Sequence, residues 1–196
     1  MFTGIIEGLS EIVSIEKENS NVHYQLKCAI TDELKVDQSL AHNGVCLTVT
    51  QVEDNHYWVT AIEETLQRTS LKNWEKGALV NYERCMPADG RFDGHIVQGH
   101  VDTVGTVKSI EDKQGSWVIH ITYVDNKNIT VEKGSICING ISLTVVDSYD
   151  NGFSVAIIPY TWEHTNMHQL KEGMSVNLEF DIIGKYLQKM MNSKRQ

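Results

Sequence analysis

Two short stretches of this chain carry hydroxyl or thiol side chains at alternate positions: Asn43-Gly-Val-Cys-Leu-Thr-Val49 and Asn139-Gly-Ile-Ser-Leu-Thr-Val145. Alternate residues of an extended strand share a face, so Cys46 and Thr48 point one way, and Ser142 and Thr144 point the equivalent way. Two such groups at the mouth of a barrel can hydrogen-bond a polar heterocycle. Asn-Gly alone reads as a tight hairpin turn, but a bare turn does not require Leu-Thr-Val after it in both copies. His100, in Gly99-His-Val101, has the side chain best suited to moving a proton near neutral pH. Asp181 follows the last expected strand and can orient or assist such a group. Glu64-Thr-Leu-Gln-Arg-Thr69 and Tyr160-Thr-Trp-Glu-His-Thr165 each follow a strand and open a short helix, with Thr65 and Thr161 as the expected N-caps. The first turn of such a helix also offers free backbone N–H groups to a ligand. Metal and nucleotide chemistry find little footing. His164 and His168 are four apart, but no Glu follows His164 and no third ligand is evident; neither GxGxxG nor P-loop spacing occurs.

Positioning those groups falls to a duplicated scaffold. A shift of 96 residues lays Thr65 and Thr69 on Thr161 and Thr165, and Gly77, Val80, Asn81 and Glu83 on Gly173, Val176, Asn177 and Glu179. Over residues 39–83, 16 of 45 ungapped pairs are identical, where composition alone would give about 3. A shift of 95 matches Gly4 with Gly99 and Ser14-Ile-Glu16 with Ser109-Ile-Glu111, and sets Ile5 opposite His100. The histidine is therefore where the copies differ. Two copies of one binding unit in one chain suit a reaction between two similar molecules.

Both halves read as short β-branched or alternating strands. They are Val22–Cys28, Val45–Thr50, Tyr57–Ile62 and Ala78–Glu83, then Val118–Val124, Ile136–Val146, Phe153–Ile158 and Ser175–Phe180. Turns are expected at Glu53-Asp-Asn55, Asp125-Asn-Lys-Asn128 and Asp150-Asn-Gly152. Strands of this length and spacing favour small antiparallel barrels, whose closure removes exposed edges. One or two helical turns are expected at Asp32–Val36, Leu66–Asn73 and His164–Lys171. The chain thus divides into barrels over 1–86 and 95–181, a polar linker over 87–94 and a helix over 182–196. On that helix Ile183, Leu187, Met190 and Met191 recur at helical spacing with Tyr186 beside them. Such an apolar face, hanging beyond a finished barrel, suits subunit contact.

At 196 residues the chain could be one domain, but each repeated half is large enough for its own small core. A net charge of −9 gives no electrostatic footprint for nucleic acid, and Lys194-Arg195 reads as a solvated tail. No stretch approaches a membrane span, and the apolar Met1–Ile6 start is too short for a signal peptide. Cys28, Cys46, Cys85 and Cys137 show no CxxC spacing and read as reduced thiols of a cytoplasmic protein.

Taken together, the N-terminal Met1-Phe-Thr-Gly-Ile-Ile-Glu7, the paired Asn-Gly-x-Cys/Ser-Leu-Thr-Val strands, Glu64-Thr-Leu-Gln-Arg-Thr69 and Gly94-His-Ile-Val-Gln-Gly-His100 resemble the α-chain type of riboflavin synthase. The likeness runs from Met1 to about Asp181. It implies an all-β fold of two tandem six-stranded Greek-key β-barrels plus a C-terminal helix, assembled through that helix as a homotrimer. The implied reaction is dismutation of two molecules of 6,7-dimethyl-8-ribityllumazine. A four-carbon unit passes between them, giving riboflavin and 5-amino-6-(ribitylamino)uracil with no cofactor or metal. The active site would lie between the N-terminal barrel of one subunit and the C-terminal barrel of its neighbour. Lumazine synthase is the macromolecular partner the resemblance would add.

By position, Cys46, His100, Ser142 and Asp181 match the family's catalytic candidates. The resemblance pairs His100 with Ser142 to deprotonate the C7 methyl of one lumazine. Cys46 would act on the other and Asp181 would steer the proton. The implied binding shell is Gly4, Ile5, Ile6, Leu47, Thr48, Thr60, Ala61, Ile62, Glu63, Glu64, Thr65, Gly99, Val101, Lys133, Leu143, Thr144, Ala156, Ile157, Ile158, Pro159, Tyr160 and Thr161. Lys133 would reach a ligand on the neighbouring chain. Two other readings share the scaffold: a lumazine-binding antenna without turnover, which would be expected to have lost part of the Cys46, His100, Ser142, Asp181 set, and a duplicated assembly module, which leaves the hydroxyl-bearing strands unexplained.

Overall fold

A computed structural model describes residues 1–124 and 128–193. The turn expected at 125–128 falls, except for Asn128, outside the described residues, as does the Lys194-Arg195 tail. Strands β1 (Gly8–Glu18), β2 (Asn21–Lys27), β3 (Ser39–His42), β4 (Val45–Glu53), β5 (His56–Ala61) and β6 (Leu79–Arg84) close into a barrel in the order β1-β2-β5-β4-β3-β6. Strands β7 (Thr103–Asp112), β8 (Trp117–Tyr123), β9 (Ser135–Ile138), β10 (Ile141–Tyr149), β11 (Gly152–Ile157) and β12 (Ser175–Phe180) close in the same cyclic order. These are the two Greek-key barrels the resemblance implies. Register recurs with sequence: Ile15↔Tyr24 becomes Ile110↔Ile119, and Ala41↔Cys46 becomes Cys137↔Ser142. A bulge in β1 between Ile12 and Ser14 recurs in β7 between Val107 and Ser109, sharpening the bend that closure needs.

Several elements differ from the strand and helix expectations. The run Ile136–Val146 is a hairpin, β9–β10, turning on Asn139 (φ 47°) and Gly140 (φ 84°). Strands β1 and β7 escape pattern reading because Glu11, Glu16, Lys17, Lys108 and Glu111 dilute their alternation, and their ends stand in solvent. Helices α1 (Glu63–Arg68) and α2 (Pro159–His164) start earlier than expected, directly after extended Ile62 and Ile158. Thr69 and Thr165 end them. Each is extended and accepts from the backbone N–H of Leu71 or Met167, starting separate 3-10 turns at Ser70–Asn73 and Asn166–Gln169. Thr65 and Thr161 are thus mid-helix, not N-caps; their carbonyls accept from the Thr69 and Thr165 hydroxyls at 2.6 Å. Asp32–Val36 shrinks to a 3-10 turn at Thr31–Glu33.

Each barrel is filled by its inward residues, among them Leu26, Leu47, Val49 and Val59 in the first and Ile121, Val145, Val155 and Leu178 in the second. Full burial of one such side chain contributes roughly 1.5–3 kcal/mol. The first barrel also encloses Ser10, Tyr57 and His42, linked hydroxyl to hydroxyl at 2.7 Å and hydroxyl to imidazole at 2.9 Å. Gly105, Phe153 and Ile138 stand at the corresponding places of the second.

Where the barrels meet, the two Asn-Gly turns touch. A Cβ on Gly44 would fall 2.7 Å from the Gly140 nitrogen, so the approach requires glycine. Asn81 donates to the Asn139 carbonyl and Asn177 to the Asn43 carbonyl, both at 2.9 Å. The backbone N–H groups of Asn81 and Asn177 donate to the Asn43 and Asn139 side chains, both at 2.8 Å. The contact is a local two-fold, and every buried amide in it is paired. Helix α3 (Ile182–Ser193) follows β12; Ile183, Tyr186, Leu187, Met190 and Met191 on it are all exposed.

Candidate functional site

On β4 the side chains of Val45, Leu47 and Val49 are buried, so Cys46 and Thr48 point outward. Ser142 and Thr144 do the same on β10. The groups expected at a barrel mouth therefore stand on outer walls, because the lumens are filled by the core side chains. Across the ladder Thr48 faces Ser39 and Thr144 faces Ser135. Burial pushes the Cys46 thiol's pKa up, which the Ser39 hydroxyl beside it opposes.

Each wall is completed by the leading segment of the other repeat. The Gly4 carbonyl, from the first repeat, accepts from Ser142 N–H of the second barrel at 2.8 Å. The Gly99 carbonyl, from the second repeat, accepts from Cys46 N–H of the first at 2.9 Å. Both glycines have φ near +80° (79° and 78°), and a Cβ on either would sit 2.6 Å from the Ser142 or Cys46 Cβ. Beyond them, Ile6 packs on the second core and Val101 on the first. The segments meet midway, where Phe2 and Val97 exchange backbone hydrogen bonds of 2.7 and 3.1 Å. Two buried carboxylates clip them down. Glu83 accepts from Thr3 N–H at 2.7 Å and Gly4 N–H at 3.0 Å, and Glu179 from Gln98 N–H at 2.6 Å and His100 N–H at 2.8 Å. Burial raises both carboxyl pKa values and those amide donors oppose it.

The residues expected to bind ligand divide between two outer walls, each a candidate cup. Gly99, whose carbonyl holds Cys46, leads into His100 and Val101 on the first, where both border one cavity with Glu64; Gly4, whose carbonyl holds Ser142, leads into Ile5 and Ile6 on the second. Ile5, Ile62, Ile158 and Tyr160 are exposed and apolar, whereas the Ala61 and Ile157 side chains are enclosed in the cores, leaving only backbone to a ligand. Lys133 lies in the turn before β9 with φ +64°. His100 is exposed and, with Glu64, Arg68, Gln98, Val101, Asp102 and Lys185, borders a cavity of about 980 Å³. Asp181 caps α3 by accepting from Ile183 N–H at 3.0 Å. Asp102 beside it binds Lys185 at 2.8 Å.

Within one chain the structure does not join His100 to Ser142. The imidazole on Ser142 is that of His95, whose Nδ1 lies 2.7 Å from the serine oxygen. Pattern reading passed over His95, Ser39, Glu83 and Glu179. Signals existed: Ser39 and the two glutamates recur at the 96-residue shift, and His95 opens the Gly-His segment that ends at His100. The His164 and His168 rings are engaged by backbone carbonyls, 2.8 Å from Tyr160 O and 2.6 Å from Thr165 O. Among the described residues, no group of three or more His, Cys, Asp or Glu is arranged to hold a metal, and no helix is long and apolar enough to cross a membrane.

Comparison with known proteins agrees with this duplication. The lumazine binding domain family matches twice, over residues 3–85 and 98–181. Riboflavin synthase of Actinobacillus pleuropneumoniae is 42% identical, covering 99% of this chain and 91% of the relative. That of Bacillus subtilis (strain 168) is 37% identical over 100% of this chain and 92% of its own. The crystal structure of LumP complexed with riboflavin superposes with a TM-score of 0.84 at 24% identity, covering 92% of this chain and 99% of that one, a likeness of fold. On full-length identity to the synthases and two matched domains, this chain belongs to the riboflavin synthase family.

Proposed function

We propose that the chain is a riboflavin synthase, a transferase that dismutates two 6,7-dimethyl-8-ribityllumazine molecules into riboflavin and 5-amino-6-(ribitylamino)uracil. The observation that carries this reading is the pair of equivalent cups, each with two outward hydroxyl or thiol groups and each completed by the other repeat. A carbanion at the lumazine C7 methyl delocalises into the pteridine ring, so little bond-making is asked of the protein. Its work is to hold two rings together, which converts a bimolecular encounter into a positioned one, and to move protons. Burial keeps Cys46 a neutral thiol, so it serves first as a hydrogen-bond donor to the lumazine bound there. His100 supplies an imidazole to that cup and Ser142 the hydroxyl of the other, while Asp181, held at the start of α3, steers the proton.

The apolar face of α3 supports assembly as a homotrimer, in which the first cup of one subunit meets the second cup of its neighbour and Lys133 reaches across. That arrangement would bring His100 to Ser142 between chains. The four unpaired cysteines support a reducing, cytoplasmic setting. Lumazine synthase is the partner the resemblance names. The test is direct: incubate the purified protein with the lumazine and follow products by absorbance and chromatography. Equal amounts of riboflavin and the diaminouracil, formed over many turnovers, are expected. A stable fluorescent complex without turnover would make the protein an antenna instead, and no binding at all would leave only an assembly module.

A further inference from the structure

We propose that His95 is the positioning residue through which Ser142 handles a proton in the second cup. The inference rests on the lumazine reading above and goes beyond it by naming the proton's path within one chain. His95 arrives with the crossing segments: its backbone N–H donates to the Thr3 carbonyl at 3.1 Å, so the backbone that sets Gly4 against Ser142 also sets this ring. Nδ1 then lies 2.7 Å from Ser142 Oγ. The preceding Gly94 leaves the necessary room, since a Cβ there would fall 2.0 Å from the Thr3 oxygen and 2.9 Å from Ser142 Oγ. The far nitrogen, Nε2, is buried and, among the described residues, is the one such side-chain atom with no hydrogen-bond partner. Leaving a buried polar atom unpaired is costly and calls for an explanation. Burial holds the ring neutral, with its pKa below the usual histidine range, and the Asp181 carboxylate opposes that by favouring the charged form.

The step balances. A proton leaves the C7 methyl carbon for Ser142 Oγ as the Oγ proton passes to His95 Nδ1. The carbon–hydrogen electron pair stays on the substrate and spreads into the pteridine ring, while Asp181 offsets the positive imidazolium. Returning that proton to a nitrogen of the departing diaminouracil restores the neutral ring.

The test is a double-mutant comparison of His95→Gln, Ser142→Ala and the two together in riboflavin formation. Each single variant is expected to lower kcat about 100-fold with KM little changed, and the double variant to be no slower than Ser142→Ala alone. If His95→Gln keeps kcat within about twofold, loses only KM, or multiplies the Ser142→Ala loss, the proposal is overturned. Should His95→Gln fail to fold, judged by near-UV dichroism of the stacked Trp117–Trp162 pair, His95→Asn is put through the same comparison. Wild-type protein that makes no riboflavin overturns the functional reading itself; wild-type turnover with an undiminished His95 variant overturns this proposal alone.

Discussion

Single residues separate chemistry from scaffold in this protein. Ser142 and His100 contribute little to either core, so replacing them should touch rate and not folding. His100→Ala and Ser142→Ala are each expected to cut riboflavin formation by about two orders of magnitude while lumazine still binds, which steady-state kinetics and calorimetric titration would check. Unchanged turnover would remove them from the mechanism. His42 is the opposite case. It is fully buried with Tyr57, and burial pushes its pKa down to about 4. Below pH 6.5 the unfolded chain takes up a proton that the folded one refuses. Stability is therefore complete above that range and declines as pH falls toward 4, by up to roughly 3 kcal/mol at 1.36 kcal/mol per unit. Urea titrations across that interval should show the decline, and His42→Ile, which copies the second barrel, should flatten it.

At the scale of elements, the crossing segments matter more than the strands they touch. Gly99 combines a positive φ of 78° with a Cβ position 2.6 Å from the Cys46 Cβ, whereas Gly77, at φ 86°, has nothing within 4 Å. Gly77→Ala should thus cost only the left-handed backbone, about 1–2 kcal/mol. Gly99→Ala should cost more and also weaken lumazine binding, because the segment must lift away from β4. Thermal melts and binding titrations of the pair decide; equal stability losses with equal binding would refute the role assigned to the crossing. The same scale shows what pattern reading could and could not reach. Alternation put Cys46 with Thr48 and Ser142 with Thr144, and the outward direction of each pair follows from buried Val45, Leu47, Val49, Ile141 and Val145. It could not find β1 or β7, whose solvated halves break the alternation, nor the split of each helical run at Thr69 and Thr165, where the side chain accepts from the backbone N–H two residues on.

The whole molecule is two barrels locked by a two-fold set of amides, with one helix left over. That lock holds the two outer walls in fixed relation within a chain; the proposed trimer brings two bound rings together between neighbouring chains. On the proposed trimer, Leu187→Glu, placed on the exposed face of that helix, should leave a monomer by sedimentation and abolish turnover while each cup still binds lumazine. A fully active monomer would contradict the proposed assembly.

The duplication, the strand faces that carry hydroxyls and thiols, and the family could all be read from residue order, since they are local or periodic properties. Folding alone revealed the exchange of leading segments between barrels, with Gly4 on Ser142 and Gly99 on Cys46, and the delivery of His95 to Ser142. Those contacts join residues dozens to more than a hundred positions apart through backbone carbonyls and a glycine's missing Cβ. Such groups leave no periodic trace in a sequence.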